Sequence, residues 1–245
     1  MTKINKTRAI VLRKINYSDT SKIATFYTEE FGRVSGIIKS GRDSKSKIGA
    51  IIDQMNLVEL VFYQKENRDI QLISQADLIL HYPHIKEDYE KIKYSSAILE
   101  LLYTLTIENE INRKLFRGLI KIFELLEKGY EEAKILFTRF LIFFIKELGY
   151  ELQLTKCKHC QKELEKEETV FFNFESGFFC EECKIQIQAE VVFEKELYKI
   201  MLCLTNKKYG KIKISNKKID RIIMFLVKYL SFHIPEFKGI KSLSY

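Results

Sequence analysis

Lys22-Ile-Ala-Thr-Phe-Tyr-Thr28, Glu29-Glu-Phe-Gly32 and Arg33-Val-Ser-Gly-Ile-Ile38 follow one another and read as strand, turn and strand. The first run alternates polar and apolar side chains, the period of a half-buried strand, and the glycine closes a tight turn. Working outward, Arg8-Ala-Ile-Val-Leu-Arg-Lys-Ile15 precedes this pair and is short and aliphatic. Leu57-Val-Glu-Leu-Val-Phe-Tyr63 and Ile70-Gln-Leu-Ile-Ser74 follow it, with Lys65 to Asp69 as a polar turn. Five short strands separated by turn signals predict a small antiparallel barrel. Between the third and fourth strands lies Lys39-Ser-Gly-Arg-Asp-Ser-Lys-Ser-Lys47, polar and basic, which reads as an exposed loop.

Beyond about residue 84 the hydrophobic period becomes helical. Leu115, Leu119, Ile122 and Leu126 share one face, and Gly129 is placed to cap the C-terminus. A second helix carries Leu136, Phe140, Phe144 and Leu148 and stops at Gly149. Near the other end Ser215 is an N-cap for a helix whose stripe is Ile219, Ile222, Ile223, Leu226 and Leu230, closed by Pro235. There is no internal repeat and no low-complexity linker. The expected organisation is α+β: a barrel over residues 1–80, then a helical domain over 81–245 with a cysteine-bearing insertion at 155–186.

The 245 residues are 46% hydrophobic and 30% charged, enough to bury a core and unlike a disordered tail. Met1 to Lys14 is polar and basic apart from Ala9-Ile-Val-Leu12, which is not a secretory signal. The most apolar stretch, Ile135 to Ile145, is broken by Arg139 and is shorter than the roughly 20 residues of a membrane span. A soluble, cytoplasmic protein with no membrane partner is expected. The net charge of +8 is segregated: residues 1–50 carry +7, residues 51–183 carry −7, and residues 184–245 carry +8. An AT-rich genome spreads lysine evenly, so two basic ends around an acidic middle point to a binding face for phosphate backbones.

Cys157-Lys-His-Cys160 and Cys180-Glu-Glu-Cys183 are two C-x2-C pairs separated by nineteen residues. Each pair forms a tight knuckle presenting two thiolates, and four thiolates complete the tetrahedron that zinc prefers. Thr169-Val-Phe-Phe-Asn-Phe174 and Phe178-Phe179, joined by Glu175-Ser-Gly177, make a hairpin between the knuckles, the framework of a zinc ribbon. Four sulfur ligands leave no position for water, so one structural rather than catalytic zinc ion is expected. The competing reading is two disulfides, against which stand a reducing cytosol and a chain able to build its own core. His159 lies inside the first knuckle and reads as a solvated loop residue, and Cys203 among Met201, Leu202 and Leu204 as a buried thiol.

Gly36-Ile-Ile-Lys-Ser-Gly41-Arg42-Asp43 has the glycine spacing of a phosphate-binding P-loop. It lacks the Lys and Ser or Thr that must follow the second glycine, and it leaves a strand for a loop rather than a helix. The same segment suits backbone binding: Lys39, Arg42, Lys45 and Lys47, interleaved with small residues, can meet several phosphates without reading bases. Arg13, Lys14 and Arg33 on neighbouring strands extend that surface. Phe26, Tyr27 and Tyr63 are candidates for base stacking, with the barrel core as the alternative place for each. Nothing resembles an active site: the four histidines are scattered, and His81 and His84 merely flank Pro83.

In this order and spacing the motifs resemble the RecO family of bacterial DNA repair and recombination mediators along nearly the whole chain. The resemblance rests on Ala9-Ile-Val-Leu12 followed by Tyr17-Ser-Asp19, Phe31-Gly-Arg33, and Lys39-Ser-Gly-Arg42 with Ser46-Lys47. Leu148-Gly-Tyr150 then leads into Cys157 and the two knuckles, and Lys241-Ser242 lies near the end. It implies an N-terminal OB-fold, a C-terminal helical domain and an embedded zinc ribbon. It also implies a non-enzymatic, nucleoid-associated protein of the RecF pathway that binds single- and double-stranded DNA and anneals complementary strands. The implied partners are RecR and the C-terminal tail of single-stranded DNA-binding protein, so that RecA can load. Carried over by position, Arg13, Lys14, Lys39, Arg42, Lys45 and Lys47 become DNA contacts. The tail of single-stranded DNA-binding protein is assigned by charge to Lys207 to Arg221. Two departures stand out: Leu152 where the family often has proline, and Gln161 where it often has glycine after the first knuckle.

Two other classes compete. A zinc-ribbon RNA-binding or transcription-associated adaptor would use the 2′-hydroxyl and prefer RNA. A nuclease would need carboxylates from the acidic middle, but that charge is spread over amphipathic helices, where solvated faces are expected.

Overall fold

The computed structural model describes residues 2–206 and 214–243. The chain divides into two compact units, one of residues 1–133 with 240–245 and one of residues 134–239.

The first unit opens with β1 (Lys3–Tyr17), β2 (Ser21–Thr28) and β3 (Gly32–Ile38), then the short helix α1 (Lys47–Ile51), β4 (Leu57–Gln64) and β5 (Ile70–Leu80). These strands close a barrel in the order β1-β2-β3-β5-β4, with β3 and β5 parallel and the other pairs antiparallel. β1 serves both neighbours: its first half pairs with β4 from Lys3↔Gln64 to Ile10↔Leu57, its second with β2 from Ala9↔Thr28 to Tyr17↔Ser21. The register shift between Val11 and Arg13 bends the strand where it passes from one partner to the other, as a bulge does at a barrel corner. Inward-facing Ala9, Val11, Ala24, Phe26, Val34, Val58, Leu60, Phe62, Ile73 and Ala76 fill the lumen, and Ile52 with Ile48 and Ile51 of α1 joins them. The period-two pattern thus has its physical cause in one buried and one open face. Gly36 sits where a Cβ would lie 2.3 Å from Ile73 Cδ1, so the first glycine of the P-loop-like spacing serves barrel packing.

Three helices complete this unit: α2 (Pro83–Lys86), α3 (Tyr89–Leu105) and α4 (Arg113–Lys128). Asp88 and Asn112 cap the N-termini of α3 and α4 through their side chains, and Gly129 ends α4 with φ +67°. The chain returns at Ile240, where the Glu100 carboxylate of α3 accepts from the backbone N–H of Lys241 and Ser242, each at 2.8 Å, and from Ser242 Oγ at 2.7 Å.

The second unit holds α5 (Ala133–Glu147), β6 (Thr169–Asn173), β7 (Gly177–Phe179), β8 (Val191–Glu194), α6 (Lys195–Thr205) and α7 (Asn216–His233). β6 and β7 form the expected hairpin, and β8 adds to the other edge of β6. Phe225 of α7 meets Phe172 and Phe193 at 4.9 Å each, and Phe172 meets Phe178 at 4.7 Å, so aromatic contacts fasten the small sheet to the helices. The apolar stretch 135–145 is α5, with Leu136, Phe137, Phe140, Leu141, Phe144 and Ile145 buried. Among the described residues no helix is long and apolar enough to cross a membrane.

Candidate nucleic-acid interface and metal centre

The segment after β3 is an ordered turn rather than an open loop. Asp43 Oδ1 accepts from Lys45 N–H at 2.9 Å, and Ser46 Oγ accepts from Gly49 N–H at 3.1 Å, which starts α1. Gly49 lies so close to Gly41 that a Cβ would stand 2.1 Å from the Gly41 carbonyl oxygen; a side chain there would push the turn open. Arg42 ties it to the β1–β2 turn: its backbone N–H donates to Thr20 O at 2.9 Å and its guanidinium to Ser18 O at 2.6 Å. Lys39, Arg42, Lys45 and Lys47 are all exposed on this clasped pair of turns.

The other expected basic contacts are placed differently. Arg13 and Arg33 converge on Tyr103 of α3, with their guanidiniums 5.3 and 5.8 Å from its ring centroid. Arg13 also donates to the Tyr103 hydroxyl at 3.2 Å and remains exposed. Arg33, its side chain only 18% exposed, donates to Thr106 O at 3.0 Å and pairs with Glu108 at 3.1 Å. These contacts engage Nε and Nη1 of the guanidinium, and Glu108 offsets part of its charge. Lys14 pairs with Asp53 at 2.7 Å, and Lys86 meets the same carboxylate at 2.8 Å. Burial pushes Asp53 up, but the bonds from the two lysines outweigh it and hold the carboxyl at about 2. Phe26 and Tyr27 are 0% and 1% exposed, so neither offers a face to a base; Tyr63 is half-buried.

In the second unit the sulfurs of Cys157, Cys160, Cys180 and Cys183 all lie within 4.8 Å of one another. The Cys157–Cys183, Cys160–Cys180 and Cys180–Cys183 separations are 3.8, 3.6 and 3.7 Å. A disulfide needs sulfurs about 2.05 Å apart, and none of the four cysteines forms one. Each knuckle is built by backbone bonds. Cys157 N–H donates to Lys162 O, Gln161 N–H to Cys157 O, and Lys158 N–H to Phe178 O, which pins the first knuckle to the hairpin. Burial raises the Cys157 thiol, but backbone N–H groups of Cys160, Cys180 and His159 prevail and bring it to about 6. Burial and the neighbouring thiols push Cys183 up. A depressed thiol beside raised ones and four clustered sulfurs, three of them on buried cysteines and the fourth on exposed Cys160, suit a structural metal ion that would replace those protons. His159 is exposed and outside the cluster. Gln161 has φ +61°, the left-handed conformation in which glycine is at ease.

The second unit also contains a cavity of about 370 Å³, whose lining includes Arg139, Phe143, Lys146, Leu152, Leu202 and Leu204. Of the basic stretch 207–221, residues 207–213 lie outside the described residues, while Lys218 and Arg221 pair with Glu196 and Glu194.

Residues 1–82 match the family model described as recombination protein O N terminal, and residues 86–243 match recombination protein O C terminal. A DNA repair protein RecO of Chlorobium limicola is 38% identical over 154 residues, 63% of this chain and 59% of that protein. Its counterpart in Prosthecochloris aestuarii is 36% identical over 152 residues, 62% of this chain and 58% of that protein. The chain is thus aligned with about three fifths of the length of these relatives. With DNA repair protein RecO of Chloroherpeton thalassium the match extends over 98% of this chain and 96% of that protein at 29% identity. The two family models together cover both units almost end to end, and the chain belongs to the recombination protein O family.

Proposed function

We propose that this protein is a DNA-binding recombination mediator in DNA repair, one that anneals complementary strands and helps load RecA onto single-stranded DNA coated by single-stranded DNA-binding protein. The observation that carries the reading is the clasped turn of Lys39, Arg42, Lys45 and Lys47: four exposed cations held in an ordered geometry at one end of a barrel, in a chain of this family. Residues 1–80 are read as an OB-fold. The strand order β1-β2-β3-β5-β4, the parallel β3–β5 pair and a helix between β3 and β4 support that reading. Residues 81–245 are read as the helical domain, with a zinc ribbon at 155–186.

The mechanism is electrostatic. Cations on the turn meet phosphates of a strand, release counterions and lower the repulsion that a second strand feels. Base pairing then supplies the specificity, and the protein needs no catalytic group. Arg13 and Lys14 extend the basic surface, whereas Arg33 positions the α3–α4 connection.

Zinc is the proposed metal of the Cys157, Cys160, Cys180 and Cys183 site. Thiolates about 2.3 Å from a tetrahedral zinc stand about 3.8 Å apart, close to three of the six sulfur separations, at 3.6–3.8 Å, with all six within 4.8 Å. The ion would cross-link the knuckles, and the cysteines leave it no open position. The proposed partners are single- and double-stranded DNA, RecR and the acidic tail of single-stranded DNA-binding protein. For the tail, a candidate is the cavity lined by Arg139, Phe143, Leu202 and Leu204, where Lys146 is paired with Glu151 at 2.5 Å and an acidic peptide would have to compete with that carboxylate.

A strand-annealing assay with Lys39→Glu and Arg42→Glu combined tests the assignment. Annealing and DNA affinity should both fall steeply, and the loss should be greatest at low salt; unchanged values for both would overturn it.

A further inference from the structure

We infer that the exposed face of α4 is a second phosphate-binding surface for a nucleic-acid backbone, separate from the clasped turn of Lys39 to Lys47. The inference rests on the reading of the chain as a DNA-binding mediator. Between Glu110 and Glu124 the sequence carries Arg113, Lys114, Arg117 and Lys121 and no acidic residue, inside a segment whose net charge is −7. α4 sets Arg113, Arg117 and Lys121 four residues apart, so they rise along one face about 6 Å at a time. Leu115, Phe116, Leu119, Ile122, Phe123 and Leu126 occupy the buried face. The cations therefore form an outward ridge.

For helix stability this arrangement is unfavourable. Like charges at four-residue spacing repel, and cations in the first turn oppose the helix dipole; the first turn has no acidic residue to offset them. Nor does the surface neutralise the ridge. Arg113 and Arg117 are exposed and form no ion pair among the described residues, and Lys121 has one long contact, 3.5 Å to Glu124. The carboxylate whose acidity the two arginines influence, Glu29, is already gripped by Arg8 at 2.8 and 2.9 Å. A polyanion is the partner that turns this repulsion into attraction.

The position also fits. The Arg8 guanidinium lies 5.8 Å from the Phe116 ring centroid, and Tyr27 stacks on Phe116 at 6.5 Å, which seats the start of α4 near the β2–β3 turn. The clasped turn lies at the other end of the same strands. Eight residues of β2 at roughly 3.3 Å each put about 25 Å between the two ends. One barrel thus separates two basic surfaces.

The test is a combined Arg113→Gln, Arg117→Gln and Lys121→Gln variant of the full chain, titrated with a labelled oligonucleotide across a range of salt. Removing three phosphate contacts should lower the slope of log affinity against log salt by about 2 for a single strand. The variant should melt at or above wild type, because the like-charge repulsion is gone. Native mass spectrometry with short strands locates the ligand. Two strands per protomer in wild type and one in the variant make the ridge the seat of a second strand. One strand in both, held with the reduced slope, makes it a continuation of the first strand's path. An unchanged slope in the variant overturns the inference. If the Lys39→Glu and Arg42→Glu variant still loses binding, the mediator reading survives that result; if wild type shows no salt-dependent DNA binding, both fall.

Discussion

The Arg42 guanidinium donates to the Ser18 carbonyl at 2.6 Å, so the turn after β1 and the turn after β3 form one object. Two short motifs that lie far apart in sequence, Tyr17-Ser-Asp19 and Lys39-Ser-Gly-Arg42, are two sides of a single contact. Arg42 is therefore both a surface cation and the latch that holds the other cations in place.

The two roles separate by mutation. Lys39→Gln should weaken DNA binding and leave amide exchange over residues 39–49 as in wild type. Arg42→Gln should weaken binding and also speed exchange over both turns. Equal exchange profiles for the two variants would remove the latch role.

Gly49→Ala tests the close approach behind the turn. The new Cβ would start 2.1 Å from the Gly41 carbonyl oxygen, and backbone must move to admit it. A loss of about 1–3 kcal/mol, the usual cost of overpacking, is expected in urea denaturation, together with weaker DNA binding although no charge has changed.

Asp53 sets an acid dependence. Its folded value of about 2 lies below its ordinary 3.8, so the stability it contributes is present above about pH 4 and is lost as pH falls towards 2. Asp53→Asn should accordingly be less stable than wild type at pH 7, with the two urea midpoints converging between pH 4 and pH 2. A constant difference across that window would show that the Lys14 and Lys86 pairings do not set the stability of this corner.

Metal removal should act on the second unit. Chelation is expected to expose residues 155–186 to protease while DNA affinity stays close to that of the metal-loaded protein. Gln161→Gly should slow the loss of metal, because it relieves a left-handed side-chain-bearing residue that costs about 1–2 kcal/mol. Specific loss of DNA binding from a chelated but otherwise intact protein would contradict the division of labour.

The barrel was legible because its strands have one buried face: Ala24 and Phe26 in β2, and Val34 and Ile38 in β3, repeat at period two. The hairpin was legible from its two aromatic runs around Glu175-Ser-Gly177, and the cysteines from their spacing. Helices α3 and α6 were not individually assigned, and several shorter features that escaped had no local period. α1 is five residues inside a polar stretch, and β8 is four residues with a buried Phe193 as its anchor. β5 runs on to Leu80 past the alternating part, through Leu78 and Ile79, which are exposed. The intramolecular contacts of Arg33 escaped because its partners, Thr106 and Glu108, lie 73 and 75 positions away. The ridge on α4 escaped for a different reason: summing charge over residues 51–183 buried four local cations in a net negative total.

The grip of Glu100 on Lys241 and Ser242 has a consequence for synthesis. The barrel unit receives these hydrogen bonds from residues 141 and 142 positions downstream. On a ribosome, α3 emerges and packs long before its last partner exists, and the whole cysteine-bearing unit is translated in the interval. The barrel and its three helices must therefore wait in an unclasped state while the nested unit is made. A nascent chain stalled short of Ile240 should display that waiting state, with Glu100 bare.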